Sequence, residues 1–87
     1  YGNKSFHMSI SFQENLQKNN LDSFVNEIKK KTLHLELSSL NKSQNQTIIN
    51  FILILKDLES LNTINDFILK KYPNSTLTIS KDHDISL

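Results

Sequence analysis

Phe6, Met8, Ile10 and Phe12 alternate with Ser5, His7, Ser9 and Ser11, the period-two pattern of a strand with one wet face. A polar stretch, Gln13 to Asn20, follows. Leu21, Phe24, Val25 and Ile28 then fall at helical spacing, with Asn20 as candidate N-cap and Lys29–Lys31 at the C-terminal end. Leu33, Leu35 and Leu37 alternate with His34 and Glu36 as a second half-buried strand. Asn41–Gln46 is a turn, and Ile48 to Leu55 is a nearly continuous apolar third strand, so the short link predicts a hairpin. Asp57 can cap a second helix with the stripe Leu58, Leu61, Ile64, Ile68 and Tyr72, widened by Phe67 and stopped by Pro73. Leu77 and Ile79 make a last short strand, and residues 81–87 read as a tail carrying Ile85 and Leu87.

The order βαββαβ predicts an α+β, ferredoxin-like sandwich in one domain, residues 1–87 with a core over about 4–80. Two right-handed crossovers around a hairpin give a four-stranded antiparallel sheet, order 4-1-3-2, with two helices on one face. The first strand treats the open face as wet. The third does not: with Ile49, Phe51, Leu53 and Leu55 toward the helices, Ile48, Ile52 and Ile54 point outward, each forgoing roughly 1.5–3 kcal/mol of burial. These three are the expected interaction residues. A second copy, the Ile85/Leu87 tail or the remainder of a larger chain would cover them.

Composition changes this picture little. Ten Lys, no Arg, nine acids and a net charge of +1 give no field that argues for nucleic acid, and the first-strand face offers His7 and serines where an RNA platform stacks aromatics. Zero Cys excludes disulfides and thiolate metal sites. No apolar run reaches the roughly 18–20 residues of a membrane span. A start at Tyr1 without Met suggests a domain excised from something larger.

Candidate chemistry is sparse. His7 and His34 fall on strands two spacings apart, roughly 9–10 Å, too far for one metal at roughly 2.0–2.1 Å ligand bonds. His34 with Glu36 supplies only two ligands, and Asp82-His83-Asp84 reads as a solvated tail. The lysines 29–31 and 70–71 close helices, where cations offset the dipole. Sequons at Asn3, Asn41, Asn45 and Asn74 are somewhat more than the Asn and Ser/Thr content alone predicts, would matter only in a secreted eukaryotic context, and read as chance. A Gly-rich phosphate loop cannot be built with Gly2 as the sole glycine, and no serine has a base and orienter, so no catalytic residue, enzyme activity or cofactor is expected.

The βαββαβ order, the opening KSFHMSISF and the run IINFILILKDLESLNTINDFILKKYPNSTLTI resemble an ACT-like domain. In particular they resemble the soluble C-terminal domains behind transmembrane helices in MgtC-type and related small bacterial membrane proteins. The resemblance implies a regulatory domain on the cytoplasmic side of a membrane, reached by the bilayer only through a preceding transmembrane region, and pairing as a homodimer. Amino-acid-binding ACT domains carry an acidic residue and a Gly-Leu pair after the first strand. Here the matching ligand loop is Gln13, Glu14, Asn15 and Leu16, without a glycine. A second likeness is to the cytosolic domain of cation diffusion facilitators, whose metal-binding histidines are replaced by Asn62, Asn65 and Ser80. The expected function is thus a non-enzymatic regulatory or oligomerisation domain, with small-ligand sensing and a cation-transporter domain as alternatives.

Overall fold

The computed structural model describes residues 4–81. The elements are β1 (Lys4–Phe12), α1 (Lys18–Lys30), β2 (His34–Lys42), β3 (Thr47–Leu55), α2 (Glu59–Lys71) and β4 (Thr76–Lys81). The strands form one antiparallel sheet in the order β2-β3-β1-β4, the expected 4-1-3-2 read from the other edge. With two helices in the intervals, this is an α+β arrangement consistent with a ferredoxin-like sandwich.

One face of the sheet holds the core. Phe6, Met8, Ile10 and Phe12 of β1 and Ile49, Phe51, Leu53 and Leu55 of β3 are buried with Phe24 and Ile28 of α1 and Ile64 and Ile68 of α2, so both helices lie on that face. Strict alternation along β3 puts every second residue there and its neighbours opposite. Phe24 is the hub. Its ring stands edge-on to Phe12 at 5.2 Å and to Tyr72 at 5.8 Å, and stacks on Phe67 at 6.1 Å.

Several boundaries differ from the sequence reading for local reasons. Helix α1 starts at Lys18, with Gln17 rather than Asn20 at the cap position, because the chain is already anchored at the buried Leu16. The first helical bond runs from Leu21 N–H to Gln17 C=O at 2.9 Å, and the exposed Asn20 lies inside the helix. Strand β2 continues past Leu37 to Lys42. A bulge at Ser38 interrupts the alternation, since Leu37 pairs with Phe51 but Ser39 with Asn50. The turn is correspondingly shorter, closed by Ser43 N–H donating to Gln46 C=O at 2.9 Å.

Asp57 does support the second helix: its Oδ1 accepts from Ser60 N–H and from the Ser60 hydroxyl, both at 3.0 Å. Leu58 precedes α2 and is exposed instead of joining its stripe. Lys81 belongs to β4 rather than to a tail. Asp82-His83-Asp84, Ile85, Leu87 and the sequon at Asn3 lie outside the described residues.

Candidate functional site

Three surfaces emerge from this frame, and the first is the open face of the sheet. The register places Ile52 between Glu36 of β2 and His7 of β1, Ile54 between His34 and Ser5, and Ile48 between Asn41 and Ser11. All three isoleucines are half-buried, sheltered by polar neighbours on the flanking strands and not by the helices. Those neighbours are themselves tied down. Gln46 Nε2 donates to Ser11 Oγ at 3.1 Å, and Asn50 Nδ2 donates to Ser39 Oγ at 2.8 Å. The result is a short apolar row along the middle of a polar sheet, broken at Asn50.

His34 Nε2 stands 4.0 Å from Glu36 Oε1, both side chains well exposed. A contact of that length at the surface contributes little to stability. His7 lies on the next strand but one, so the histidines are not brought together. No cluster of three metal-ligating side chains occurs among the described residues.

The second surface surrounds the expected ligand loop. Phe12, Gln13 and Glu14 face Lys71, Tyr72, Pro73, Asn74 and Ser75 across a cleft of about 110 Å³. That is room for a few waters at roughly 30 Å³ each, well below the roughly 300–1,000 Å³ of typical small-molecule sites. Burial raises the Tyr72 phenol above its ordinary pKa of 10.0, and the Glu14 carboxylate adds to the rise by repelling a phenolate. Asn15 is exposed, whereas Leu16 is a core residue.

The loop is held by a residue that the pattern analysis did not single out. Thr47, fully buried at the start of β3, donates its hydroxyl to Glu14 C=O at 2.7 Å and accepts from Leu16 N–H at 2.9 Å. A threonine opening an apolar strand is an ordinary surface choice. Only its tertiary position makes it a clamp.

The third surface is a groove between α1 and the edge strand β2. Leu21 and Val25 of α1 face Leu37 and Leu40 of β2, with Ile49 at the floor and Lys18, Asp22 and Lys42 at the rim, around about 360 Å³. Leu37 is 53% exposed and Leu40 45%. They share this side because the bulge at Ser38 restores Leu40 to the helix-facing side of β2. The alternation of Leu33, Leu35 and Leu37 revealed the strand, but a bulge within Ser38-Ser39 has no sequence signature.

Three of the helix-terminal lysines, Lys30, Lys31 and Lys71, have partners. Lys30 and Lys31 approach Glu27 at 3.4 and 3.7 Å, and Lys31 and Lys71 lie over the Phe67 ring at 4.9 and 5.9 Å. They close the end of the helical layer.

No family model matches the chain, and no curated protein does. Among solved structures it is similar to the de novo designed protein Foldit4, at 13% identity over 94% of this chain and 98% of that one, TM-score 0.57. It is also similar to the de novo designed protein Ferredog-Diesel, at 13% identity over 93% of this chain and 88% of that one, TM-score 0.56. At such identities the likeness concerns the fold alone, which the chain shares along nearly its whole length with both designs.

Proposed function

We propose that this is a non-enzymatic regulatory or oligomerisation domain of the ACT-like, ferredoxin-like kind, acting through association. The observation that carries the reading is the row of Ile48, Ile52 and Ile54, half-exposed on the sheet face that neither α1 nor α2 covers. Apolar side chains on such a face gain by meeting another surface, whether a second copy or another part of a larger chain. The likeness of the sequence to soluble domains of small bacterial membrane proteins supports a position on the cytoplasmic side of a membrane.

Light scattering across a concentration series tests the association. Wild-type protein is expected to grow in mass with concentration, and Ile52→Lys and Ile54→Lys to weaken that growth while keeping the circular dichroism of the fold. Identical behaviour of wild type and both variants overturns the role of this face.

The cleft between Glu14 and Tyr72 favours a second reading, a small-ligand sensor. Its size restricts the ligand to a few heavy atoms. A thermal-shift screen of amino acids and divalent ions separates the two readings, since a ligand at 100 times its dissociation constant stabilises by about 2.7 kcal/mol.

A further inference from the structure

The groove between α1 and β2 changes character along its length. Thr47 pairs with Lys42, the last residue of β2, and its hydroxyl accepts from the N–H of Leu16, two residues before α1 begins at Lys18. Lys18 and Lys42 therefore mark the same end. Toward the other end Leu37 pairs with Phe51, whose ring lies 6.5 Å from that of Phe24, the residue before Val25. Lys18, Leu21 and Val25 lie along one stripe of the helix, and Leu37, Leu40 and Lys42 share the helix-facing side of β2. One end is cationic and the rest is aliphatic.

The charges at the mouth do not cancel. Lys18 Nζ stands 3.3 Å from Asp22 Oδ2, so these two rim charges engage each other. Lys42 forms no ion pair among the described residues and leaves a net positive charge there. Beyond the mouth, Leu21, Val25, Leu37, Leu40 and Ile49 offer no side-chain donor or acceptor. A peptide laid along them would bring amides that these side chains leave unsatisfied, whereas an alkyl chain brings none. The volume, about 360 Å³, falls within the roughly 300–1,000 Å³ of small-molecule sites.

We propose that this groove binds a free medium-chain fatty carboxylate, its head at Lys42 and its tail running past Leu40 and over Ile49 toward Val25 and Leu37. Charge complementarity sets both the class and the direction: the carboxylate belongs with the ammonium that has no acid beside it, the hydrocarbon with leucines that are otherwise 45% and 53% exposed. The site lies on the helix side of the sheet, away from the Ile48/Ile52/Ile54 row and from the cleft at Tyr72, and stands independently of both readings.

Calorimetric titration with hexanoate, octanoate and decanoate, each below its micellar concentration, tests it. One molecule per chain is expected, with affinity rising about two- to fourfold per added methylene, the upper figure corresponding to full burial. Decyltrimethylammonium, with the same tail and the opposite head charge, should bind at least about tenfold more weakly than decanoate. Lys42→Glu should remove that preference. Leu40→Asp and Leu37→Asp, both at exposed positions, should abolish binding while keeping the circular dichroism of the fold. Ile52→Lys should leave decanoate binding unchanged, so failure of the open-face reading is told apart from failure of this one.

The proposal is overturned if affinity does not climb with chain length, if decyltrimethylammonium binds as well as decanoate, or if both aspartate variants bind decanoate like the wild type. Sedimentation covers the other occupants. A dimer that Leu40→Asp dissolves and decanoate leaves intact would assign the groove to a second copy, and a peptide of alternating Leu and Glu that binds there more tightly than decanoate would assign it to a protein partner; either result overturns the fatty-carboxylate site.

Discussion

The Thr47 hydroxyl accepts a hydrogen bond from the backbone N–H of Leu16 at 2.9 Å, joining the start of β3 to a loop 31 residues earlier. The same hydroxyl donates to Glu14 C=O. Together the two bonds fix the path from β1 to α1 and let Leu16 enter the core without stranding its amide. Thr47→Val keeps the shape and removes both partners. Leaving the buried Leu16 amide unsatisfied costs about 1–3 kcal/mol, and the part-buried Glu14 carbonyl adds less, so Thr47→Val is expected to lower unfolding free energy by about 1–3 kcal/mol. Thr47→Ser retains the hydroxyl and should cost clearly less. Urea titration of the three proteins checks the order.

Phe24 touches four other rings: Phe12, Phe51, Phe67 and Tyr72. Phe24→Ala opens a cavity where both helices and both central strands meet and should cost about 3–5 kcal/mol. Against the roughly 5–15 kcal/mol of an ordinary domain this brings the protein close to unfolding. Phe67→Ala, at a half-buried ring reached from outside by Lys31 and Lys71, should cost less. Thermal melts of both variants measure the difference.

The raised pKa of Tyr72 has a sign that can be checked. A phenol whose pKa is higher in the folded than in the unfolded chain stabilises the fold fully below the unfolded value. That contribution is lost as pH rises through the folded pKa. Stability should therefore fall from about pH 10 upward, and Tyr72→Phe should flatten this part of the decline. Difference absorbance of wild type against Tyr72→Phe isolates the phenolate. Glu14→Gln should lower the Tyr72 pKa only part of the way, because burial is the larger cause.

Asp57 accepts two hydrogen bonds from Ser60 at the opening of α2. Asp57→Ala should cost about 1 kcal/mol, and Asp57→Asn or Asp57→Ser should recover most of it. Denaturant midpoints at constant slope provide the comparison. A loss in Asp57→Ala no greater than in Asp57→Asn would remove the capping role.

Period alone revealed the elements. The Ser/apolar alternation of β1 and the nearly continuous apolar run of β3 are signals that no tertiary contact had to correct, and they fix which isoleucines leave the core. The start of α1 and the end of β2 were misjudged because a local pattern is overruled there by a distant contact or a bulge. Asn20 carries good capping chemistry, but Leu16, held by Thr47, sets the helix start two residues before it. Leu37 ended the visible alternation because the extra residue at Ser38 shifts the phase, which also hid Leu40 and the groove beside it. The Ile48/Ile52/Ile54 row, by contrast, follows from the period of β3 alone.

The strand order bears on how the chain finds its shape. Only β2 and β3 are neighbours both in sequence and in the sheet, while β1 must settle between β3 and β4, whose residues come long after its own. The entropy of closing those long loops is spent before the contacts that repay it exist, so refolding is expected to be slower than in helical bundles of this size, which stopped-flow fluorescence of a tryptophan placed at Phe12 would time. Until β1 arrives, the apolar sides of the β2–β3 hairpin face solvent together, and crowded or concentrated refolding is where this sequence is most exposed to aggregation.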